Sequence, residues 1–378
     1  METEFDSLNL SKDIVNAICK RGFKKPTEIQ ERIIPLILEE KNDVIGISHT
    51  GSGKTVAFGL PIIDLITRNK ENTNKKKRNP KVIILSPTRE LALQITKELI
   101  FFSKNKKLNI LTVYGGSSIN NQIKILDKGV DIVVGTPGRV IDLIKKKKLN
   151  LSNVEHVVLD EADEMLNMGF IDDIEFILSF CSKDKRTYLF SATMPNRIKK
   201  LSQNYMKNQK IIEVASKEDF NVLIEQFFVI SKKKQKNKDL INYIKYEEFF
   251  YGIIFCKTKL EVKNLKKMFK EHGFKRVDVL HGDIKQSKRE IILDKFRKSK
   301  IDILIATDVA ARGLDIKNLT HIVNYSLPDT IESYKHRIGR TGRAGNKGKA
   351  LTFITSYELK NISIIENNLD VRINKLKL

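Results

Sequence analysis

The chain is short of cysteine: Cys19, Cys181 and Cys256 are the only three in 378 residues, far apart and without a CxxC pair. That excludes a disulfide framework and a thiolate metal centre, and it fits three reduced, buried thiols. Long apolar runs are also missing. Nothing approaches the roughly 18 residues of a membrane-crossing helix. The opening residues, Met-Glu-Thr-Glu-Phe-Asp, are acidic where a secretory leader would be basic and then apolar, so the expectation is a cytoplasmic protein. Acidic residues are scarce beside basic ones, 46 against 69, which leaves a net charge of +23. Such a balance attracts polyanions. Hydrophobic residues make up 41% and charged residues 30%, a composition that can build cores and is not that of a disordered chain.

At this length two or three domains are expected. Short β-branched runs recur, each followed by a polar or Gly-rich turn and then by residues of helical period: Val44–Ile47, Val82–Leu85, Ile110–Val113, Ile132–Val134, Val157–Leu159, Tyr188–Phe190 and Ile211–Val214. The alternation predicts a parallel sheet covered by helices. It restarts at Ile224–Ile230 and continues through Ile253–Cys256, Val277–Leu280, Ile303–Ala306, His321–Asn324 and Leu351–Ile354. Two α/β domains, 1–214 and 224–378, joined by a polar linker over 215–223, are the simplest reading. The lysine runs within 69–79, 145–148 and 232–238 lack interleaved aromatics and read as solvated surface.

The strongest local signal is Ser48-His49-Thr50-Gly51-Ser52-Gly53-Lys54-Thr55, set between a predicted strand and a predicted helix. That context is the one a phosphate-binding loop requires. Its glycines let main-chain N–H groups turn inward around phosphate, Lys54 reaches the β- and γ-phosphates, and the Thr55 hydroxyl can ligate Mg²⁺. Ser48 stands where Gly or Ala is usual and is small enough to substitute. A second carboxylate for the metal is expected at another strand end. Asp160, after Val157-Val158-Leu159, supplies it, and the adjacent Glu161 is placed to orient and deprotonate water. Asp163 and Glu164 read more simply as acidic residues of a helix first turn.

Asp160-Glu161-Ala162-Asp163, the phosphate loop, Ser191-Ala192-Thr193 and His336-Arg337-Ile338-Gly339-Arg340-Thr341-Gly342-Arg343 together resemble the DEAD-box ATP-dependent RNA helicases. The likeness runs from Phe5 to about Arg343, with the elements in the family's order. It implies two tandem RecA-like domains, ATP and Mg²⁺ as cofactors, and RNA as partner, single-stranded or in short duplexes. Gly22-Phe23-Lys24-Lys25-Pro26-Thr27-Glu28-Ile29-Gln30, with Phe5 upstream, is similar to the family's adenine-reading segment. The Gln30 amide matches adenine N7 and N6–H₂, and Phe5 could stack on the ring. Thr27-x-x-Gln30 is equally a capping box, and both readings stay open.

The same resemblance implies RNA contacts from Pro87-Thr88-Arg89, Gly115-Gly116 and Thr136-Pro137-Gly138-Arg139 in the first domain, and from Gly282, Arg289 and Thr307 in the second. It places Gly313 and Asp315 at the nucleotide. Arg340 and Arg343 become arginine fingers acting across the domains on the γ-phosphate. Ser326 stands where the family commonly has Asp. The activity implied is RNA-stimulated ATP hydrolysis coupled to domain closure and local, non-processive opening of short duplexes; an ATP-gated RNA clamp is the alternative. A kinase or GTPase would leave the second domain unexplained. A monomer without an appended RNA-selecting domain is expected, and ribosome assembly and messenger decay are both open as settings.

Overall fold

The computed structural model describes residues 3–49, 51–68, 79–214, 223–311, 314, 316, 318–342 and 346–377. Two compact units divide at Ala215 and Ser216. All but the last residue of the expected linker lies outside the described residues, as does most of the lysine run within 69–79.

In the first unit the strands are β1 (Val44–Ile47), β2 (Val82–Leu85), β3 (Ile110–Val113), β4 (Ile132–Gly135), β5 (His156–Leu159), β6 (Arg186–Ser191) and β7 (Lys210–Glu213). The helices are α1 (Lys12–Arg21), α2 (Glu28–Leu38), α3 (Lys54–Arg68), α4 (Arg89–Phe102), α5 (Ile119–Asp127), α6 (Pro137–Lys145), α7 (Ala162–Asn167), α8 (Ile171–Ser179) and α9 (Asn196–Tyr205). The sheet is parallel throughout, in the order β3-β4-β2-β5-β6-β1-β7. Both faces of its central strands are covered, so Val82, Ile83, Ile84 and Leu85 are all fully buried and the strand reads as unbroken hydrophobic sequence. Parallel pairing brings the carboxyl ends of β1, β5 and β6 to one edge, with β6 between the other two.

The second unit holds β8 (Ile224–Ile230), β9 (Gly252–Cys256), β10 (Val277–Leu280), β11 (Ile303–Thr307), β12 (His321–Asn324), β13 (Gly348–Ile354) and β14 (Asn374–Lys375). Its order, β10-β11-β9-β12-β13-β8-β14, is that of the first sheet with every number raised by seven. The short β14 pairs with β8 and was not legible in the sequence, because two residues carry no periodic pattern. The run at 232–238 is only partly a solvated loop. A helix, Lys236–Tyr246, begins within it, and the Lys236 ammonium lies 4.2 Å from the centre of the Tyr325 ring. No described helix is long and apolar enough to cross a membrane.

Phe5 departs from its expected role. It sits in a short 3-10 turn, Glu4–Leu8, with its ring fully buried in the core that α1, α2 and α3 share. A ring with no exposed face cannot stack on a base; its work is to anchor the N-terminal turn. Phe5→Ala should therefore cost about 3–5 kcal/mol of stability in denaturant unfolding, with the KM for ATP changed little. A raised KM without loss of stability would restore the stacking role.

Candidate nucleotide and nucleic-acid site

The loop between β1 and α3 turns tightly at Gly51 and Gly53, whose φ angles are +89° and +95°. Side chains disfavour that region, which explains glycine at both positions. The Lys54 ammonium donates to the Ser48 carbonyl at 2.7 Å, and the Ser48 and Ser52 hydroxyls lie 2.8 Å apart, a bond across the loop that the Gly or Ala usual at this position could not make. Thr55 is half-buried at the start of α3, and His49 is exposed; Thr50 lies outside the described residues.

Thr27 and Gln30 turn out to do more than cap α2. The capping box is present, with the Gln30 Oε1 accepting from the Thr27 N–H at 3.0 Å. In addition Thr27 Oγ1 donates to the Ser52 carbonyl at 2.8 Å, and Gln30 Nε2 donates to the Gly53 carbonyl at 3.1 Å. The helix start and the phosphate loop are thus one bonded piece. Phe23 is half-buried beside it, its ring 6.3 Å from that of Phe102.

Asp160 lies at the end of β5, almost completely buried. Burial first, then the neighbouring Glu161 carboxylate, push its carboxyl up to about 7, while Lys54 and the Glu161 N–H, which donates to Asp160 Oδ1 at 3.0 Å, pull the other way. A buried acid so raised is short of positive charge, which a divalent cation would supply. Among the described residues there is no cluster of three metal-ligating side chains. The oxygen donors of Asp160 and Thr55 are of the kind Mg²⁺ takes beside waters and substrate phosphate oxygens. Glu161, the N-cap residue just before α7, lies in the left-handed region at φ 51°, a conformation that costs a non-glycine residue roughly 1–2 kcal/mol.

Asp163 is the residue the sequence reading undervalued. Its N–H donates to Ser191 Oγ at 3.1 Å, and its Oδ2 accepts from the N–H groups of Ala192 (3.1 Å) and Thr193 (2.9 Å) and from Thr193 Oγ1 (3.0 Å). The acidic segment after β5 and the loop after β6 are thereby tied together. Only the strand order could reveal this, since 28 residues separate Asp163 from Ser191.

Farther along the same edge, Thr88 caps α4, its hydroxyl accepting from the Leu91 N–H at 3.2 Å. Pro87 precedes it at the end of β2. The Arg89 guanidinium lies so close over Gly115 and Gly116 that a β-carbon on Gly116 would fall 2.4 Å from it. Thr136 and Pro137 open α6, and Gly138 faces open space. Arg139 does not join them at the surface. Its side chain is only 10% exposed and donates to the Ser117 carbonyl at 3.2 Å and to Gln122 Oε1 at 2.9 Å, so it braces the glycine loop from within.

In the second unit, Gly282 follows β10 beside Lys259, and Thr307 ends β11. Arg289 is 7% exposed and donates to the Ala310 carbonyl at 3.0 Å, which makes it an internal strut rather than an open strand contact. Arg337 binds Asp308 through two 2.6 Å bonds and also reaches Asn324 Oδ1 and the Ser326 carbonyl. The Ser326 hydroxyl donates to Glu261 at 3.1 Å, the bond that serine makes in place of the carboxylate expected there. Arg340 donates to the His336 and Leu314 carbonyls of its own unit. Gly313, Asp315 and Arg343 lie outside the described residues.

A glycine loop at the switch of a parallel sheet, a buried strand-end carboxylate beside it, and a second sheet of the same order define a P-loop NTPase made of two RecA-like domains. Residues 27–201 match the DEAD/DEAH box helicase family and residues 235–345 the helicase conserved C-terminal domain. The chain is 48% identical over its whole length, and over the whole of the relative, to a protein of Methanocaldococcus jannaschii described as a probable ATP-dependent RNA helicase, MJ0669. It is 46% identical to the ATP-dependent RNA helicase CshA of Listeria monocytogenes, covering 99% of this chain and 70% of that protein. Among solved structures it is similar to Dbp5 of S. cerevisiae bound to RNA and ADP BeF3, at 32% identity and a TM-score of 0.86 over 99% of this chain and 96% of that one. The chain belongs to the DEAD-box family of ATP-dependent RNA helicases.

Gly53→Ala would set a β-carbon 2.3 Å from Gln30 Nε2 in a backbone region alanine avoids; the KM for ATP should rise at least tenfold in steady-state assays. A second expectation concerns pH. Asp160 binds its proton more tightly folded than unfolded, so the stability it contributes is full below about pH 4 and is lost as pH rises through about 7. With divalent cations chelated, the melting temperature should fall across that window, and Asp160→Asn should flatten that part of the fall.

Proposed function

We propose that the chain hydrolyses ATP in response to RNA and uses the cycle to open or remodel short RNA duplexes locally. The observation that carries this is the bonding of Thr27 and Gln30 to the phosphate loop on one side, and of Asp163, three residues after Asp160, to the 191–193 loop on the other, with the Ser48 N–H bonded to the Ser191 carbonyl between them. Nucleotide and strand-binding segments thus share one sheet edge.

In this reading the Gln30 amide reads adenine with the polar capacity its bonds to Thr27 and Gly53 leave over. The loop N–H groups and Lys54 hold the phosphates, and Thr55 with Asp160 would hold Mg²⁺, which when bound neutralises developing phosphate charge. Glu161 orients the attacking water and accepts its proton. Arg340 and Arg343 belong to the other unit, so the hydrolytic site is complete only on domain closure. RNA that bridges the units favours closure and so tightens ATP binding by the factor by which ATP tightens RNA. Strand binding falls to Pro87, Thr88, Gly115, Gly116, Thr136, Pro137 and Gly138, with Gly282 and Thr307 in the second unit. These are small, hydroxyl-bearing or helix-starting residues suited to phosphate and sugar rather than to base edges. The identity of the relatives and the RNA in the Dbp5 structure support the choice of RNA.

ATPase rate measured against single-stranded RNA, short duplexes and DNA of the same sequence tests the reading. Stimulation by RNA with release of a short duplex is expected. Glu161→Gln should retain ATP and RNA while turnover falls by about 10² or more. A wild-type rate indifferent to RNA, or undiminished turnover in the variant, would refute it.

A further inference from the structure

Gln122, met above only as the partner of Arg139, is 5% exposed on the first half of α5. Its amide is fully engaged. Nε2 donates to the Tyr114 carbonyl at 3.2 Å and contacts Ser117 Oγ at 2.6 Å, while Oε1 accepts from Arg139 at 2.9 Å. The same Arg139 nitrogen donates to the Ser117 carbonyl, and Ser117 Oγ donates to the Tyr114 carbonyl at 3.1 Å.

Tyr114 and Ser117 are the two residues that bracket Gly115 and Gly116. The glycines themselves have no side chains with which to hold a conformation, and Gly116 is exposed at φ +85°. Arg89 covers them from the other side. One amide therefore bonds to both residues that bracket the glycines and to the Arg139 guanidinium of α6, which itself also reaches the loop at the Ser117 carbonyl. Only an amide can play all three parts here. Glutamate would keep the acceptor for Arg139 but lose both donors, and methionine of similar length would lose all three bonds and leave a guanidinium and a carbonyl buried with fewer partners.

We infer that Gln122 is a positioning residue for strand binding: it locks the Gly115–Gly116 loop to Arg139, and so holds that loop at a fixed spacing from the start of α6 at Thr136–Gly138. Two consecutive phosphate contacts then require no ordering when the strand arrives. The inference rests on the strand-binding reading given above and adds a residue that reading does not contain.

The test uses the full chain and a single-stranded oligouridylate, reading the RNA concentration for half-maximal ATPase stimulation beside the KM for ATP. For Gln122→Met the RNA value should rise about tenfold, which corresponds to about 1.4 kcal/mol, with the KM for ATP within twofold of wild type. Gln122→Glu, which keeps the Arg139 bond, should fall between the two and serves if the methionine variant folds poorly. Arg139→Met combined with Gln122→Met should be no worse than either single change, because the two act as one unit. Folded variants with an unchanged RNA value, or with RNA and ATP constants raised in proportion, would overturn the inference alone. A wild type without RNA stimulation would overturn the strand-binding reading and the inference together.

Discussion

The carboxylate of Asp163 is the tie on which the active edge of the first domain depends. It gathers the two N–H groups and the hydroxyl of Ala192 and Thr193 onto one buried oxygen. Bonds to a charged acceptor of this kind are roughly twice as strong as neutral ones. Because β6 lies between β5 and β1, this tie sits between the acidic segment after β5 and the loop that surrounds Lys54.

The two sheets repeat one design, but only the first carries a glycine loop after its opening strand. After β1 the chain enters a glycine loop; after its counterpart β8 it reads Ser231-Lys232-Lys233-Lys234, with no glycine to turn N–H groups inward. After β5 come Asp160 and Glu161; after β12 come Tyr325 and Ser326. A pocket of about 880 Å³ survives at that second edge, lined by Lys236, Tyr325, Ser326 and Thr355 among others. Two arginines of the second domain hold its own architecture: Arg337 fastens the end of β12 to Asp308, and Arg289 fastens Gln286–Arg297 to Ala310.

The fold was largely legible, because a parallel sheet buried on both faces leaves unbroken β-branched runs and because a P-loop is a contiguous motif whose spacing is its geometry. The residues read less well are those whose partners are remote in sequence. Phe5 and Arg139 carry side chains that can serve either a ligand or the interior, and only packing decided for the interior. Asp163 looked like an ordinary helix-start acid until the strand order set it beside Ser191. Gln122 gave no signal at all: an isolated glutamine in an amphipathic helix has no pattern to betray three bonds. Lys236 shows the reverse case, a member of a charge run that the fold folds back onto an aromatic ring.

The double duty proposed for Gln30 bears on how the enzyme would discriminate among nucleotides. One amide group braces Thr27 and Gly53, and in the proposed function it also reads the purine, so in that reading recognition of the base and rigidity of the glycine loop draw on the same few atoms. A nucleotide with the wrong ring would not simply sit more loosely. It would compete with the brace, slackening the cradle around its own triphosphate, and selectivity at the base would be felt as a fault in chemistry several bonds away.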